Sequence, residues 1–319
     1  MKSRLFRKGF VFGIIVLFVG ASIIPVTGTV VKKIVINSFI SGGYIQDLID
    51  NANPGDTIYI HNGTYYENII INKSINLIGE NKLTTIIDGS GIGDVVYVSA
   101  DWVNISGFTI RNGGGAGIDI DSNCNTIQNN TISSNNCGIY LIGACFNNLM
   151  DNNITSNNGN GMSLGSSDYN TITDNTIAAN NDKGIYLYLS DYNTIIGNTI
   201  YNKNNGVYIG GSSHNNIKGN TISGNKFGVL IRFLVIWQHA MLSRNNTIIK
   251  NNFLSNNPQA FCGGGWSNTW NENYWNRPRQ LPKLIYGFVF VGFIGFENIP
   301  IVIPWFNVDW NPAKEPYDI

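Results

Sequence analysis

Residues 170–200 read NTITDNTIAANNDKGIYLYLSDYNTIIGNTI, and the return of Asn-Thr-Ile within them decides the fold. The phrase Asn-x-apolar-x-x-Asn-x-apolar begins at Asn125, Asn147, Asn170, Asn193, Asn215, Asn246 and, with tryptophan at both apolar positions, Asn268. The spacings are 22, 23, 23, 22, 31 and 22 residues. Within each copy two large apolar residues lie five apart, as in Ile127/Ile132, Ile172/Ile177 and Trp270/Trp275. A Gly-apolar-x-apolar element follows at Gly138, Gly161, Gly184, Gly206 and Gly228. A fixed period of this size marks a solenoid.

The apolar runs are short, alternate with period 2 and are rich in β-branched residues, so each reads as a strand. No repeat holds the ten or so residues of 3.6 periodicity that a helix needs, which disfavours helical repeats. Three short strands per 22–23 residues make one coil of a parallel β-helix, with coils about 4.8 Å apart and equivalent residues stacked in ladders. Asn130, Asn152, Asn175, Asn198, Asn220, Asn251 and Asn273 share one register, in the turn between the first two strands. An inward-turned amide donates and accepts, so stacked copies can satisfy one another and the buried turn backbone. This ladder is assigned a structural role. The run Asn180-Asn181, by contrast, reads as exposed.

The two ends differ from the repeat. Lys2, Arg4, Arg7 and Lys8 precede sixteen apolar residues from Gly9 to Ile24. That is short of the ~20 residues of a spanning helix and fits a secretory signal, with an uncleaved anchor as the alternative. The expected layout is signal or anchor at 1–28, linker at 29–40, β-helix at 41–275 and a capping segment at 276–319. Ile45, Leu48, Ile49 and Ala52 predict a short amphipathic helix across the open N-terminal coil. At the other end, residues 284–296 are apolar and too short to span a bilayer as a helix. They read as extended segments that cover the last coil within an irregular cap, with an interface-seeking tail as the alternative.

Composition narrows the function classes. The 319 residues balance 20 basic against 20 acidic side chains, and only 13% are charged, so there is no basic footprint for nucleic acid. Sequons at Asn62, Asn72, Asn104, Asn129, Asn153 and Asn245 agree with export, although a chain rich in Asn and Thr generates them by composition alone. The cysteines Cys124, Cys137, Cys145 and Cys262 are too few for a disulfide framework. Cys124 and Cys145 lie near a one-coil offset, either bridged or packed as small hydrophobes.

The stretch IQDLIDNANPGDTIYIHNGTYYENIIINKSINLIGE (45–80), with TTIIDG (84–89), VNISGFTIRN (103–112) and the repeats from Asn125, resembles the right-handed parallel β-helix proteins of the pectin-lyase-like superfamily. Within it, the chain is similar to the branch that groups NosD-type periplasmic copper-binding proteins with carbohydrate-binding and sugar-hydrolase domains. Its tail, WNENYWNRPR…NVDWNPAKEPYD, resembles exported archaeal members of that branch. The resemblance implies a β-helix fold, export and a carbohydrate or copper ligand.

Enzymes of that superfamily place acids on neighbouring coils. Here Asp151 and Asp174 share one register, and Asp168 and Asp191 another, at a spacing near that of retaining glycosidases. The polygalacturonase-like signature (Asn-Thr-Asp, Asp-Asp, Gly-His-Gly, Arg-Ile-Lys) is not present. Copper would enter only through the resemblance, because His61, His214, His239, the cysteines and the methionines form no spaced cluster. No metal site or cofactor is therefore assigned.

Two binding features remain. Phe146, Tyr169, Tyr192 and His214 fall in one register, an aromatic ladder that is either core or a sugar-stacking face. The 31-residue repeat carries nine extra residues within 232–244, read either as a loop on the binding face with Trp237 and His239 as its contact residues or as a loop packed flat on the solenoid. The reading is an all-β, right-handed parallel β-helix, exported to the cell surface, that binds glycans or serves a structural role. Glycans or cell-surface proteins are the expected partners, and membrane contact runs only through an uncleaved N-terminal segment. The alternatives are a polysaccharide hydrolase or lyase acting through the stacked Asp residues, and a copper-binding protein.

Overall fold

The computed structural model of the chain describes residues 44–236, 239–265, 267–294 and 299–319. The expected signal or anchor and the linker lie outside the described residues. From the helix at Tyr44 onward the chain winds into a parallel β-solenoid with three faces per coil. The second face holds ten strands, from Gly63–Tyr65 to Tyr274–Trp275, and the other two faces flank it coil by coil.

One coil shows why this sequence folds so. Thr171–Thr173, Thr176–Ala178 and Ile185–Tyr188 supply its three strands. Ile172, Ile177, Ile185 and Leu187 point inward and are fully buried, while their neighbours face out. Ile172 lies between Leu149 and Ile195 of the adjacent coils, and Ile177 between Ile154 and Ile200. The core is thus a stack of like residues, and a one-residue slip would turn each of them to solvent.

Asparagine ladders join the strands at all three turns. In the first, Asn175 donates its backbone N–H to Asn198 Oδ1 at 2.9 Å. Its Nδ2 reaches Leu149 O at 2.8 Å and Thr173 O at 2.9 Å. Its own Oδ1 accepts from Asn152 N and Nδ2 at 2.9 and 3.1 Å. A second ladder runs through Asn135, Asn157, Asn180, Asn202, Asn225 and Asn256, and a third through Asn125, Asn147, Asn170, Asn193, Asn215, Asn246 and Asn268. Asn180, which reads as exposed in sequence, is fully buried in the second ladder, with Nδ2 donating to Asn202 Oδ1 at 2.9 Å. Only Asn181 of that pair faces solvent. The register carries the distinction, because Asn135, Asn157, Asn180, Asn202, Asn225 and Asn256 recur at the spacing of the repeat while the neighbouring register changes to Lys203 and Lys226.

Gly184 shows how tightly this turn is packed. A Cβ there would lie 2.6 Å from Asn202 Nδ2, from Ile200 Cγ2 and from Gly206 O. The repeated glycine at the entry to the third-face strand therefore makes room for the ladder of the next coil.

Both ends are capped. The helix Tyr44–Asp50 lays Ile45 and Ile49 on the first coil, and the Glu67 carboxylate accepts the Ile45 and Gln46 N–H groups at its start. At the far end the chain forms a long antiparallel hairpin of Lys283–Ile294 and Ile299–Asp309. The extended segments expected there are the two strands of this hairpin, which is regular where an irregular cap was expected. All four cysteines are free.

Candidate functional site

The sequence-derived acids are turn residues in the structure. Asp168 Oδ1 accepts the Asp191 N–H at 2.7 Å, and Asp191 Oδ1 accepts the Ser213 N–H at 2.7 Å, so both carboxylates hold the next coil's backbone. Asp151 and Asp174 are exposed at a position with φ of 55°, a register filled by Gly197 and Gly219 in the following coils. That conformation selects Asp, Asn and Gly for backbone reasons.

The aromatic register is an external stack. Tyr169 lies between Phe146 and Tyr192, with ring centroids 5.1 and 4.9 Å away and planes within 7°. Tyr192 is in turn covered by His214 at 4.7 Å. Both faces of Tyr169 and of Tyr192 are thus taken by neighbouring rings, and only edges meet solvent. Such a stack is not core, and its two inner rings have no face free for a sugar ring. The extra residues of the long coil form a small hairpin, Leu234–Ile236 against His239–Met241, with His239 exposed. Trp237 lies outside the described residues. The hairpin's base is closed by Ser243 Oγ on Arg232 O at 2.7 Å.

A different surface gathers more chemistry. The outward positions of the third face stack Tyr97, Asp119, Tyr140, Ser163, Tyr186, Tyr208 and Leu230 in register. In sequence most of these residues are the variable x of Gly-apolar-x-apolar, in plain view but averaged away by the search for a repeat. Every second residue of a strand faces out, so the one position free to vary is where a surface function can be written.

The N-terminal half of this row is acidic and recessed. Asp94, Asp119, Cys137, Tyr140 and Ser163 line a depression of about 350 Å³. Asp119 Oδ1 is buried and has no hydrogen-bond partner. Burial, followed by the charges of Asp94 and Asp121, lifts its carboxyl from 3.8 to about 6. Such a group exchanges a proton near neutral pH, as a general acid or base must. Burial also pushes the Cys137 thiol up to about 12, keeping it uncharged.

The C-terminal half is aromatic and cationic. Lys183 Nζ sits over the Tyr186 and Tyr208 rings at 4.9 and 5.6 Å and pairs with Asp182 at 2.6 Å. Tyr186 and Tyr208 meet edge to face at 5.1 Å, and Arg232 hydrogen-bonds Tyr208. The inserted hairpin borders this end, where Leu234 packs over Gly210 and Gly211.

Soft metal donors do not converge. Among the described residues no three His, Cys, Asp or Glu side chains are grouped so as to hold a metal ion. Met162 is in the core, Met150 Sδ accepts from Asn148 Nδ2, and the buried Cys262 thiol is raised to about 12 by its burial.

A family model described as periplasmic copper-binding protein (NosD) matches residues 49–280. No curated protein matches the chain. Among solved structures, an alginate lyase from Paenibacillus sp. str. FPU-7 is similar over 70% of this chain and 91% of that one, with a TM-score of 0.57 and 17% identity. The periplasmic alginate epimerase AlgG is similar with a TM-score of 0.52 and 17% identity, over 69% of this chain and 60% of the epimerase. The Dettilon tailspike protein has a TM-score of 0.50 and 15% identity, over 69% of this chain and 55% of the tailspike. At these identities the likeness is one of fold.

Proposed function

This chain belongs to the NosD family of β-helix proteins, and on that premise we propose that it binds an extended acidic polysaccharide along its third face. The observation that carries the reading is the Tyr186–Lys183–Tyr208–Arg232 cluster, in register with the Asp119 depression. Partly exposed tyrosine rings offer apolar faces to sugar C–H groups, and their hydroxyls offer hydrogen bonds. Lys183 and Arg232 supply the positive charge that would receive a sugar carboxylate. Coils about 4.8 Å apart present one outward residue each, a rise comparable with that of successive sugars in an extended chain. The lyase and the epimerase among the similar structures are, by name, enzymes of alginate, an acidic glycan. The family's periplasmic description favours an exported protein at the cell surface, as the N-terminal segment suggests.

A second reading has one observation in its favour: a carboxyl raised to about 6 within a depression on the same row. On that reading Asp119, rather than Asp174, is the acid or base of a polysaccharide lyase or hydrolase. Copper fits less well. The described His, Cys, Asp and Glu side chains form no cluster of three that could hold the ion. No step is routed through it.

Calorimetry of the purified protein with alginate, pectate and neutral oligosaccharides tests the proposal. Binding of the acidic glycans alone, weakened at least tenfold in both Tyr186→Ala and Arg232→Gln, is expected. Absence of binding, or binding indifferent to both substitutions, would overturn it. Turnover abolished by Asp119→Asn with binding retained would establish the catalytic reading.

A further inference from the structure

The two strands of the C-terminal hairpin live in different surroundings. Lys283–Ile294 is anchored: it pairs with the last third-face strand at Cys262↔Gly287 and Gly263↔Phe288, and Ile285 and Val289 are buried. Phe288 packs edge-on against Phe233 and Phe261. Ile299–Asp309 is anchored only at its foot, where Asp309 pairs with Trp270. Residues 299–306, IPIVIPWF, are all exposed, and no charged residue occurs from 299 to 308. Among the described residues, the outer edge of this stretch has no strand partner.

A long, exposed, apolar edge strand invites pairing with another chain. Here the edge is blunted by Pro300 and Pro304, which stand opposite Phe293 and Phe288 in the hairpin. A proline within a strand is tolerated where its nitrogen faces away from the paired neighbour, which in this hairpin is the free edge. Two donors are thereby removed from that edge while the apolar side chains stay outside. The strand is built against backbone pairing but not against apolar contact. A surface of that kind suits a lipid interface better than a second β-strand.

The rest of the hairpin agrees. Tyr286, Trp305, Phe306 and Trp310 are exposed toward its foot, the residue types that settle at the headgroup level. Arg277 and Arg279 flank Lys283 there, close enough that their charges, after burial, help to lower its pKa. Basic residues behind an apolar surface add attraction to anionic headgroups. The hairpin cannot enter the hydrocarbon core, because its unpaired edge would carry unsatisfied backbone groups into a medium with no water. No helix among the described residues is long and apolar enough to cross a membrane either. The contact is therefore interfacial.

We propose that the exposed strand 299–306 docks the protein on an anionic lipid surface, with its apolar side chains at the headgroup–acyl boundary and Arg277, Arg279 and Lys283 against the headgroups. The probe is tryptophan fluorescence with phosphatidylcholine vesicles, with and without phosphatidylglycerol, whose acyl chains carry bromine as a contact quencher. The apolar N-terminal segment has no tryptophan, so its own insertion is silent in this measurement. Quenching that is severalfold stronger with phosphatidylglycerol, reduced in Trp305→Phe with Trp310 as the remaining exposed reporter of the hairpin foot, and lost in Ile301→Asp/Ile303→Asp, is expected. Arg277→Gln/Arg279→Gln should remove the preference for anionic lipid. Quenching unchanged in Trp305→Phe, or none with any vesicle, would overturn the proposal. So would a concentration-dependent dimer, seen by ultracentrifugation without quenching and abolished by Ile301→Asp/Ile303→Asp, since the occupant would then be a second copy. The parent protein by itself either is quenched or is not, so the test does not depend on the variants folding.

Discussion

Asp309 stands over Asn273 where the next asparagine of the ladder would be. Its Oδ2 accepts the Asn273 backbone N–H at 3.0 Å and Asn273 Nδ2 at 3.1 Å, and it also takes Trp275 Nε1 at 3.0 Å. Each asparagine in the stack donates to the one that follows, so the last must find an acceptor elsewhere. The C-terminal hairpin brings it, which couples the cap to the coil it covers. Replacing Asp309 with Ala would orphan three buried donors and should cost roughly 1–3 kcal/mol or more. Asp309→Asn keeps an acceptor oxygen and should cost less. Thermal melts of the two variants check this, and an Asp309→Ala melt matching the parent would remove the capping role.

Within the stack, burial and not residue type sets the cost. Asn175→Ala and Asn180→Ala each leave buried backbone groups and neighbouring amides unpaired, a loss of roughly 1–3 kcal/mol. Asn181→Ala touches an exposed side chain and should change stability within about 0.5 kcal/mol. Denaturant midpoints for the three variants decide the matter. Equal shifts at positions 180 and 181 would show that the ladder carries no special weight.

The two rows of aromatic residues should separate cleanly. Tyr169→Asn keeps a residue tolerant of the φ of 58° found there while removing the middle ring of the exposed stack. Lost ring contacts of roughly 0.5–1.5 kcal/mol should lower the melting temperature, with glycan affinity unchanged. Tyr186→Ala, on the third face, should do the reverse and lose affinity at nearly constant stability. Measuring melting and affinity on the same two proteins tests the assignment of the binding row, which fails if Tyr169→Asn is the variant that stops binding.

Asp119 makes stability and binding depend on pH. Its folded carboxyl titrates near 6 against 3.8 for an unperturbed aspartate, so the folded protein holds this proton to higher pH than the unfolded chain does. Its contribution to stability is then full below pH 3.8 and is lost as pH rises through 6. Asp119→Asn should flatten that part of the profile, leaving the difference between parent and variant largest across this window. An acidic glycan near Asp119 should bind more tightly as pH falls through 6, because a charge that repels it disappears. A parent-minus-variant difference independent of pH would contradict the shifted carboxyl.

The repeat alone determined the architecture. Ile127/Ile132, Ile172/Ile177 and their counterparts fix period and strand length, because like residues must stack when coils lie about 4.8 Å apart, while the first three of the ten second-face strands lie before the repeat begins. The first asparagine ladder was legible for the same reason, and so was the helix carrying Ile45 and Ile49. The proposed binding surface was not. Tyr140, Tyr186, Tyr208 and Asp119 are scattered along the sequence and look like noise within a motif, until parallel stacking sets them in one row on one face. Asp151/Asp174 and Asp168/Asp191 stack just as regularly, but backbone conformation and turn hydrogen bonds account for them. Sequence period tells which residues share a register. Only the tertiary structure decides which registers face inward, which are used up by the turns, and which are left open to solvent, because those outcomes depend on contacts between coils that no single repeat contains.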